Sequence, residues 1–143
     1  MLYWRLFYHI VWSTKRREPW LDGERASLAE GAIRHRMREM NVYIHGLAVM
    51  SDHVHVAVTI PPNDRISYIV QQMKGSSSYL VSKQDPTAHE EGFAWQRGYA
   101  VLSLSESSLP VVLDYIANQH ERHATNDLSR GLEPWGDKNE STT

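Results

Sequence analysis

The chain has 143 residues, of which 41% are hydrophobic and 22% charged, and this length and composition are typical of one globular domain. The length leaves no room for a second catalytic domain, and no apolar run approaches the ~18 residues of a membrane-spanning helix. The absence of cysteine excludes disulfides, a thiolate zinc site and a cysteine nucleophile. No secretion signal is visible, so we expect a cytoplasmic protein without a membrane partner.

The net charge of −2 does not by itself favour a nucleic-acid partner, because such proteins usually carry a basic surface. The charge is unevenly distributed, however. Residues 1 to 84 carry 11 basic and 7 acidic side chains, whereas residues 85 to 143 carry 4 basic and 10 acidic ones. The first part of the chain can therefore still present a basic surface to DNA, with limited nonspecific affinity for duplex.

The first half of the chain predicts a strand, a helix and two further strands. The aromatic and β-branched run from Tyr3 to Trp12 favours a strand that ends at the basic turn Lys15 to Arg17. After Asp22, a candidate N-cap, apolar residues recur at helical spacing. Val42 to Met50 and His53 to Ile60 are then predicted as the second and third strands.

The second half predicts a helix, a strand and a last helix. An apolar stripe at helical spacing runs from Ile66 to Leu80, and the polar stretch Ser82 to Gly92 predicts a loop. Phe93 to Leu104 is predicted as the fourth strand and Leu109 to His123 as the third helix. The order β-α-β-β-α-β-α predicts an α+β, ferredoxin-like split βαβ fold, with helices on one face of a four-stranded antiparallel sheet and the other face open.

The most specific feature of the sequence is the pair His53 and His55 in the third strand. Residues two apart in a strand project from the same face, so the two imidazoles can reach one metal ion. Because Val54 and the valines that alternate with it fill the other register and face the core, we expect the pair on the open face, accessible to a ligand. Two neighbouring surface histidines without a ligand are the alternative.

The last helix supplies a second candidate group. Tyr115 and Gln119 lie four residues apart and so one above the other, with Arg122 three residues further on. This row is predicted to lie beside the apolar stripe of the helix, which leaves Tyr115 either as an interface aromatic or as a hydroxyl presented to a partner. His120 falls within the stripe and is expected in the core, while the pattern leaves the place of His123 open.

A tyrosine beside a metal ion can act as a nucleophile. A phenol with a pKa of about 10 is protonated at neutral pH, but a nearby cation favours the phenolate and polarises a phosphodiester. Attack gives a phosphotyrosine, which exchanges one phosphodiester for another and lets the strand be rejoined without an external energy source. This chemistry suits strand transfer better than degradation.

Two segments of the sequence resemble the signatures of the HUH endonuclease superfamily. Asp52 to Val56 resembles its His-hydrophobe-His motif, and Tyr115 to Gln119 resembles the helix of the single-tyrosine transposases of insertion sequences and of the REP-associated tyrosine transposases. The similarity extends through Tyr8 to Arg17, Met73 to Ser77 and Phe93 to Tyr99, and covers roughly residues 3 to 123 in the family's order.

The resemblance implies a metal-dependent nuclease and strand transferase that acts in DNA transposition on single-stranded, hairpin-bearing DNA. His53, His55 and Gln119 would coordinate a divalent ion, Mg²⁺ or Mn²⁺, although imidazoles more often select zinc, copper, iron or nickel. Tyr115 would attack the DNA to leave a 5′-phosphotyrosine and a free 3′-hydroxyl. A homodimer is implied, with the catalytic domain at residues 1–123. The polar composition of residues 124–143 predicts a flexible tail.

One departure from the family lies next to the histidine pair, because relatives often have Pro or Asn where this chain has Asp52. A carboxylate there either orients a histidine or lies in a solvated turn.

Several basic side chains are candidates for phosphate contacts, and for the basic turn a solvated surface is an equal alternative. Trp95 and Tyr99, predicted on one strand face, could stack bases, although aromatics at this spacing are more often core. Two rival functions remain: a non-catalytic nucleic-acid-binding module, since an open sheet with aromatics also stacks bases, and a domesticated protein that keeps the site as a relic. The candidate phosphate contacts are Lys15, Arg16, Arg17, Arg34, Arg38, Lys74, Arg97 and Arg122.

Overall fold

Within the described part of the chain, four strands form one antiparallel sheet in the order β2-β3-β1-β4. This order is that of the split βαβ unit, and it confirms the α+β, ferredoxin-like fold predicted from the order of elements. The computed structural model describes residues 3–119. Its strands are β1 (Phe7–Ser13), β2 (Tyr43–Val49), β3 (His53–Thr59) and β4 (Ala100–Leu104).

Within the described residues, three α-helices and one short 3-10 turn connect the strands, and a fourth α-helix follows the last strand. The 3-10 turn, Lys15–Arg17, follows β1 directly, where the sequence predicts a basic turn. The helices are α1 (Gly23–Glu39), α2 (Ile66–Gln84), α3 (Pro86–Glu90) and α4 (Leu109–Ala117).

The main core lies between one face of the sheet and helices α1 and α2. Ile10 and Trp12 of β1 are fully buried, as are the valines of β3 that alternate with the histidines. They pack against the apolar stripes of the two helices, in which Ile33 and Met73 are fully buried. Burial of each such side chain contributes about 1.5 to 3 kcal/mol, so this layer decides which face of β1 and β3 turns inward.

Helix α4 packs on the opposite face of the sheet. Its residues Val112, Tyr115 and Ile116 form a second buried cluster with Ala48 of β2 and Ala57 of β3. The small side chains of these strands let the helix lie close to the sheet. The expectation that this face is open above the histidine pair is therefore wrong, because α4 covers it.

The segment between α2 and β4 differs from the prediction. The stretch predicted as a loop contains the end of α2 and the short helix α3, which starts with Pro86 at its first position. The fourth strand begins at Ala100 and not at Phe93. The reason lies in Trp95, whose indole nitrogen donates to the carbonyl oxygen of Lys74 at 3.1 Å and to the hydroxyl of Ser77 at 3.2 Å.

Trp95 and Tyr99 consequently do not share a strand face. Trp95 forms an isolated bridge with Thr14 and packs edge-on against Trp12, with ring centroids 5.9 Å apart. Tyr99 remains exposed. The end of the predicted last helix, with His120, Arg122 and His123, and the predicted domain boundary at 123 and tail at 124–143 lie outside the described residues.

Gly46 tests how closely α4 is docked on the sheet. A Cβ at this position would lie 3.0 Å from Leu113 Cδ2 and 3.7 Å from Ile116 Cγ2. We expect Gly46→Val to push α4 outward and to lower the free energy of unfolding by about 1 to 3 kcal/mol, measured by urea denaturation.

Gly31→Ala is the matched control, since nothing lies within 4 Å of a Cβ built there. Because alanine is the better helix former, this variant should be more stable than the parent by about 0.5 to 1 kcal/mol. Parental stability for Gly46→Val would show that α4 is not held against β2.

Candidate active site

Strands β1 and β3 place three histidines on the face that α4 covers. His53 and His55 alternate with the buried valines of β3, and His9 of β1 lies directly opposite Ala57. Since residues opposite each other in an antiparallel pair share a face, all three imidazoles point to the same side. Each is at most 1% exposed, so the histidine pair is buried and not on the surface.

Asp52 orients the first of these rings. Its Oδ1 lies 2.6 Å from Nδ1 of His53. A carboxylate only accepts hydrogen bonds, so Nδ1 carries the proton of the neutral ring and Nε2 carries the lone pair. Of the two interpretations of Asp52, the structure supports the one in which it orients a histidine.

The basic turn is anchored beside this pair. Arg16 and Arg17 have φ values of 58° and 56°, a left-handed conformation that is unfavourable for these residues. The hydroxyl of Thr14 stabilises the turn by donating to the carbonyl oxygen of Glu18 at 2.6 Å. The turn brings Nε of Arg17 to 3.5 Å from Oδ2 of Asp52, an exposed ion pair worth at most about 1 kcal/mol.

His55 contacts His9, a residue that sequence reasoning missed. Nε2 of His9 lies 3.0 Å from Nδ1 of His55, and the two rings stack at an angle of 25° with centroids 5.2 Å apart. The same alternation rule could have found His9. Tyr8, Ile10 and Trp12 alternate along the first predicted strand and so share a face, which leaves His9 on the other one.

Tyr115 lies against the histidines from above. Its ring meets that of His55 edge-on at 5.6 Å between centroids and that of His9 at 6.5 Å. Tyr115 is only 1% exposed, so the prediction that its row lies beside the apolar stripe is wrong. Helix α4 lies flat on β2 and β3, and this orientation turns the tyrosine inward together with Val112 and Ile116.

Gln119 lies one turn beyond Tyr115 and is fully buried. Its Nε2 donates to the carbonyl oxygen of Tyr115 at 3.2 Å. The amide oxygen is therefore the atom that this side chain can offer to a cation. The structure thus brings His53, His55 and Tyr115 into one cluster, and Gln119, two residues beyond the end of α4, bonds the backbone of Tyr115.

The chemistry of these donors fits a divalent metal ion. Imidazole nitrogen and amide oxygen are both ordinary metal ligands, and a carboxylate on the second nitrogen of a ligating histidine, as Asp52 is on His53, is the usual arrangement. Over residues 3–119, no group of three or more His, Cys, Asp or Glu side chains is arranged to hold a metal. A site here would depend on two imidazoles and an amide.

Four of the predicted phosphate contacts lie at the end of β1 that carries the site. Lys15, Arg16 and Arg17 are exposed in the turn after this strand. Arg97 is also exposed, and the residue before it, Gln96, donates its backbone N–H to the carbonyl oxygen of Ser13 at 2.9 Å.

The other predicted contacts are placed differently. Arg34 and Arg38 are exposed on α1, on the far side of the sheet from the histidines. Lys74 is half-buried, and its ammonium donates to the carbonyl oxygens of Gln96 at 2.9 Å and Gly98 at 2.6 Å. Burial holds the pKa of Lys74 below its usual value. Arg122 lies outside the described residues.

Sequence relatives and a family model match this chain over most of its length. Residues 2–119 match the family model described as "Transposase IS200 like". The ISDra2 transposase TnpA of Deinococcus radiodurans is 29% identical over 122 residues, which cover 83% of this chain and 87% of the relative. The transposase for insertion sequence element IS200 of Salmonella typhimurium is 29% identical over 121 residues, covering 82% and 79% of the two chains.

Solved structures agree with the sequence comparison. A crystal structure of a transposase candidate from Deinococcus radiodurans superposes with a TM-score of 0.68 at 30% identity, covering 82% of this chain and 93% of the other. A REP-associated tyrosine transposase bound to a REP hairpin superposes with a TM-score of 0.65 at 18% identity, covering 100% and 94%, and supports the fold. No helix among residues 3–119 is long and apolar enough to cross a membrane. The chain therefore belongs to the IS200-like transposases, the HUH single-tyrosine family that its motifs resemble, and is a tyrosine transposase enzyme of DNA transposition.

Proposed function

We propose that this transposase is a metal-dependent single-stranded DNA endonuclease and strand transferase with Tyr115 as its nucleophile. The observation that carries the proposal is the position of the Tyr115 ring, 5.6 Å from that of His55 on the buried face of the sheet. His53 lies beside His55, with ring centroids 4.9 Å apart. A tyrosine on the last helix thereby meets the histidine pair of β3.

A divalent metal ion would be held by His53, His55 and Gln119. When bound, a divalent ion supplies positive charge that favours the phenolate and polarises the phosphodiester. Asp52 keeps His53 in the tautomer whose Nε2 can bind the ion, and Gln119 offers its amide oxygen. The choice of Mg²⁺ or Mn²⁺ rests on the family, since the imidazoles alone favour softer metals.

The reaction exchanges one ester bond for another. The phenol of Tyr115 loses its proton to water and its oxygen forms a bond to the phosphorus. The bond from phosphorus to the 3′ oxygen breaks, and the leaving 3′ oxygen takes up a proton from water. The tyrosine is then joined to the 5′ phosphate. Attack by another 3′-hydroxyl reverses these steps and joins strands, so no external energy source is needed.

The burial of Tyr115 sets a condition on this mechanism. A side chain that is 1% exposed cannot be reached by DNA while α4 lies against the sheet. The helix has only nine residues, and its buried cluster is separate from the main core, so it can shift without disturbing α1 and α2. We infer that DNA binding is accompanied by such a shift. The same burial favours the alternative function, a non-catalytic or domesticated single-stranded nucleic-acid-binding module.

Single-stranded DNA with a hairpin is the proposed substrate. The support is the REP hairpin bound by a structural neighbour, together with the exposed cations Lys15, Arg16 and Arg97 near the site. Phosphate contacts from Arg17, Arg34, Arg38, Lys74 and Arg122, a homodimeric active form and a cytoplasmic location stay predictions from the sequence.

The nucleophile is tested with Tyr115→Phe. Phenylalanine keeps the ring against His55 but lacks the attacking oxygen, so we expect hairpin binding to persist and the covalent product to disappear. Labelled single-stranded DNA from the flanks of the gene is incubated with protein and Mg²⁺, and adducts that survive denaturation are resolved on a gel. Tyr79→Phe, at an exposed tyrosine of α2, should form the adduct normally. An adduct with Tyr115→Phe would refute the assignment, and none with the parent would favour the non-catalytic alternative.

The metal ligands are tested with His53→Ala, read by calorimetric titration of Mn²⁺ into metal-free protein. Residues that only orient a ligand already contribute about 10- to 100-fold to metal affinity, so loss of a ligand should cost about 100-fold or more. His35→Ala, at an exposed histidine of α1, is the control and should bind like the parent. Equal affinity in His53→Ala and the parent would exclude His53 as a ligand.

The role of Asp52 is tested with Asp52→Ala. Loss of the acceptor should move the His53 proton toward Nε2, seen in ¹⁵N NMR, and weaken Mn²⁺ binding by about 10- to 100-fold. Arg17→Ala removes the ion pair but leaves the bond from His53 to Asp52, so it should change neither quantity. If the two variants behave alike, Asp52 does not orient His53.

A further inference from the structure

His9 is a buried histidine that the proposed reaction does not use. It is fully buried in the middle of β1, between the core residues Tyr8 and Ile10 on the other face. Burying an imidazole costs free energy unless its nitrogens are hydrogen-bonded. The reason for a histidine at this position therefore lies in what it contacts.

The register of β1 and β3 directs His9 toward His55. The residue directly opposite His9 is Ala57, whose side chain ends at Cβ. The larger imidazole of His9 can therefore lean across to the diagonal neighbour, and its Nε2 reaches to 3.0 Å from Nδ1 of His55 with the rings stacked. The bond to His55 is thus made through Nδ1, so this ring would ligate a metal ion through Nε2.

Only one tautomer of this pair is compatible with metal binding. A single proton lies between the two nitrogens, so one ring donates and the other accepts. If His9 donated, the neutral His55 ring would carry its own proton on Nε2 and could not ligate. If His55 donates from Nδ1, its Nε2 holds the lone pair that a metal requires.

We propose that His9 is a positioning residue that accepts the Nδ1 proton of His55 and so presents Nε2 of His55 to the metal ion. The inference rests on the proposed function and extends it by one residue. Each ligating histidine then has its own acceptor: Asp52 for His53 and His9 for His55. Asp52 is partly exposed and can remain charged, whereas His9 is fully buried, and a neutral acceptor there avoids burying a second carboxylate.

The test compares His9→Leu with His9→Gln in Mn²⁺ titrations of metal-free protein. Leucine fills similar space but accepts no hydrogen bond, so Mn²⁺ affinity should fall by about 10- to 100-fold. Glutamine can place its amide oxygen near the position of Nε2, so affinity should return to within a few-fold of the parent. His45→Leu is the control, since His45 is a half-buried histidine of β2 that bonds Thr59 at 2.5 Å. It should bind Mn²⁺ like the parent.

A second measurement, ¹⁵N NMR of metal-free parent, decides the question without any variant. The proposal expects the proton of His55 on Nδ1, and a proton on Nε2 would overturn it. Parental Mn²⁺ affinity in a folded His9→Leu, or equal weakening in His9→Leu and His9→Gln, would also overturn it and leave His9 a packing residue. Failure of the parent to bind Mn²⁺ is a different result, because it refutes the metal-dependent function while the tautomer of His55 still reports on His9.

Discussion

The antiparallel pairing of β1 with β3 determines which side chains meet at the site. In this register Ile10 is opposite Val56 and Val11 is opposite His55. A slip of one residue would turn every side chain of a strand to the other face. The buried valines of β3 prevent such a slip, because each contributes about 1.5 kcal/mol or more by facing α1 and α2. The histidines occupy the other face as a consequence, so the main core fixes the geometry of the site.

The same sheet supports a second and much smaller layer. Helix α4 lies on the small residues Gly46, Ala48 and Ala57. Among residues 3–119, its cluster contains five buried residues, against eighteen in the main core. Regions with few buried apolar contacts open at lower free energy than the core. The proposed nucleophile on α4, Tyr115, can therefore be both positioned by packing and released without global unfolding. This division explains how a buried Tyr115 is consistent with catalysis on DNA.

The sequence was sufficient for those features that depend on local periodicity. Alternation in β3 predicts that His53 and His55 share a face, and helical spacing predicts that Tyr115 and Gln119 lie on one row. Features that depend on contacts between distant segments could not be predicted in this way. The apolar stripe of α4 does not by itself indicate which surface the helix will cover. The proposed role of His9 follows only from the pairing of β1 with β3.

The start of β4 is a second feature that depends on contacts between distant segments and could not be predicted from local sequence. Phe93 to Leu104 has the composition of a strand, yet its first part is held by the indole of Trp95, which donates to the far helix α2. Lys74 of the same helix donates to the carbonyl oxygens of Gln96 and Gly98. These hydrogen bonds satisfy backbone carbonyl groups that would otherwise pair with a neighbouring strand. The segment 93–99 therefore forms a loop beside the site, and β4 begins only after it.

Exposed basic side chains lie both in this loop and in the turn after β1. The net charge of −2 describes the whole chain, whereas Lys15, Arg16 and Arg97 are exposed where β1 ends next to His53. Binding that neutralises only a few phosphates depends weakly on salt. For single strands, the logarithm of the binding constant falls with the logarithm of the salt concentration with a slope of about −0.7 per phosphate contact. Arg17 links this surface to the site, since it pairs with the oxygen of Asp52 that does not bond His53. A phosphate could take Arg17 from Asp52 and leave the bond between Asp52 and His53 intact, so DNA capture need not disturb the orientation of the proposed metal ligand.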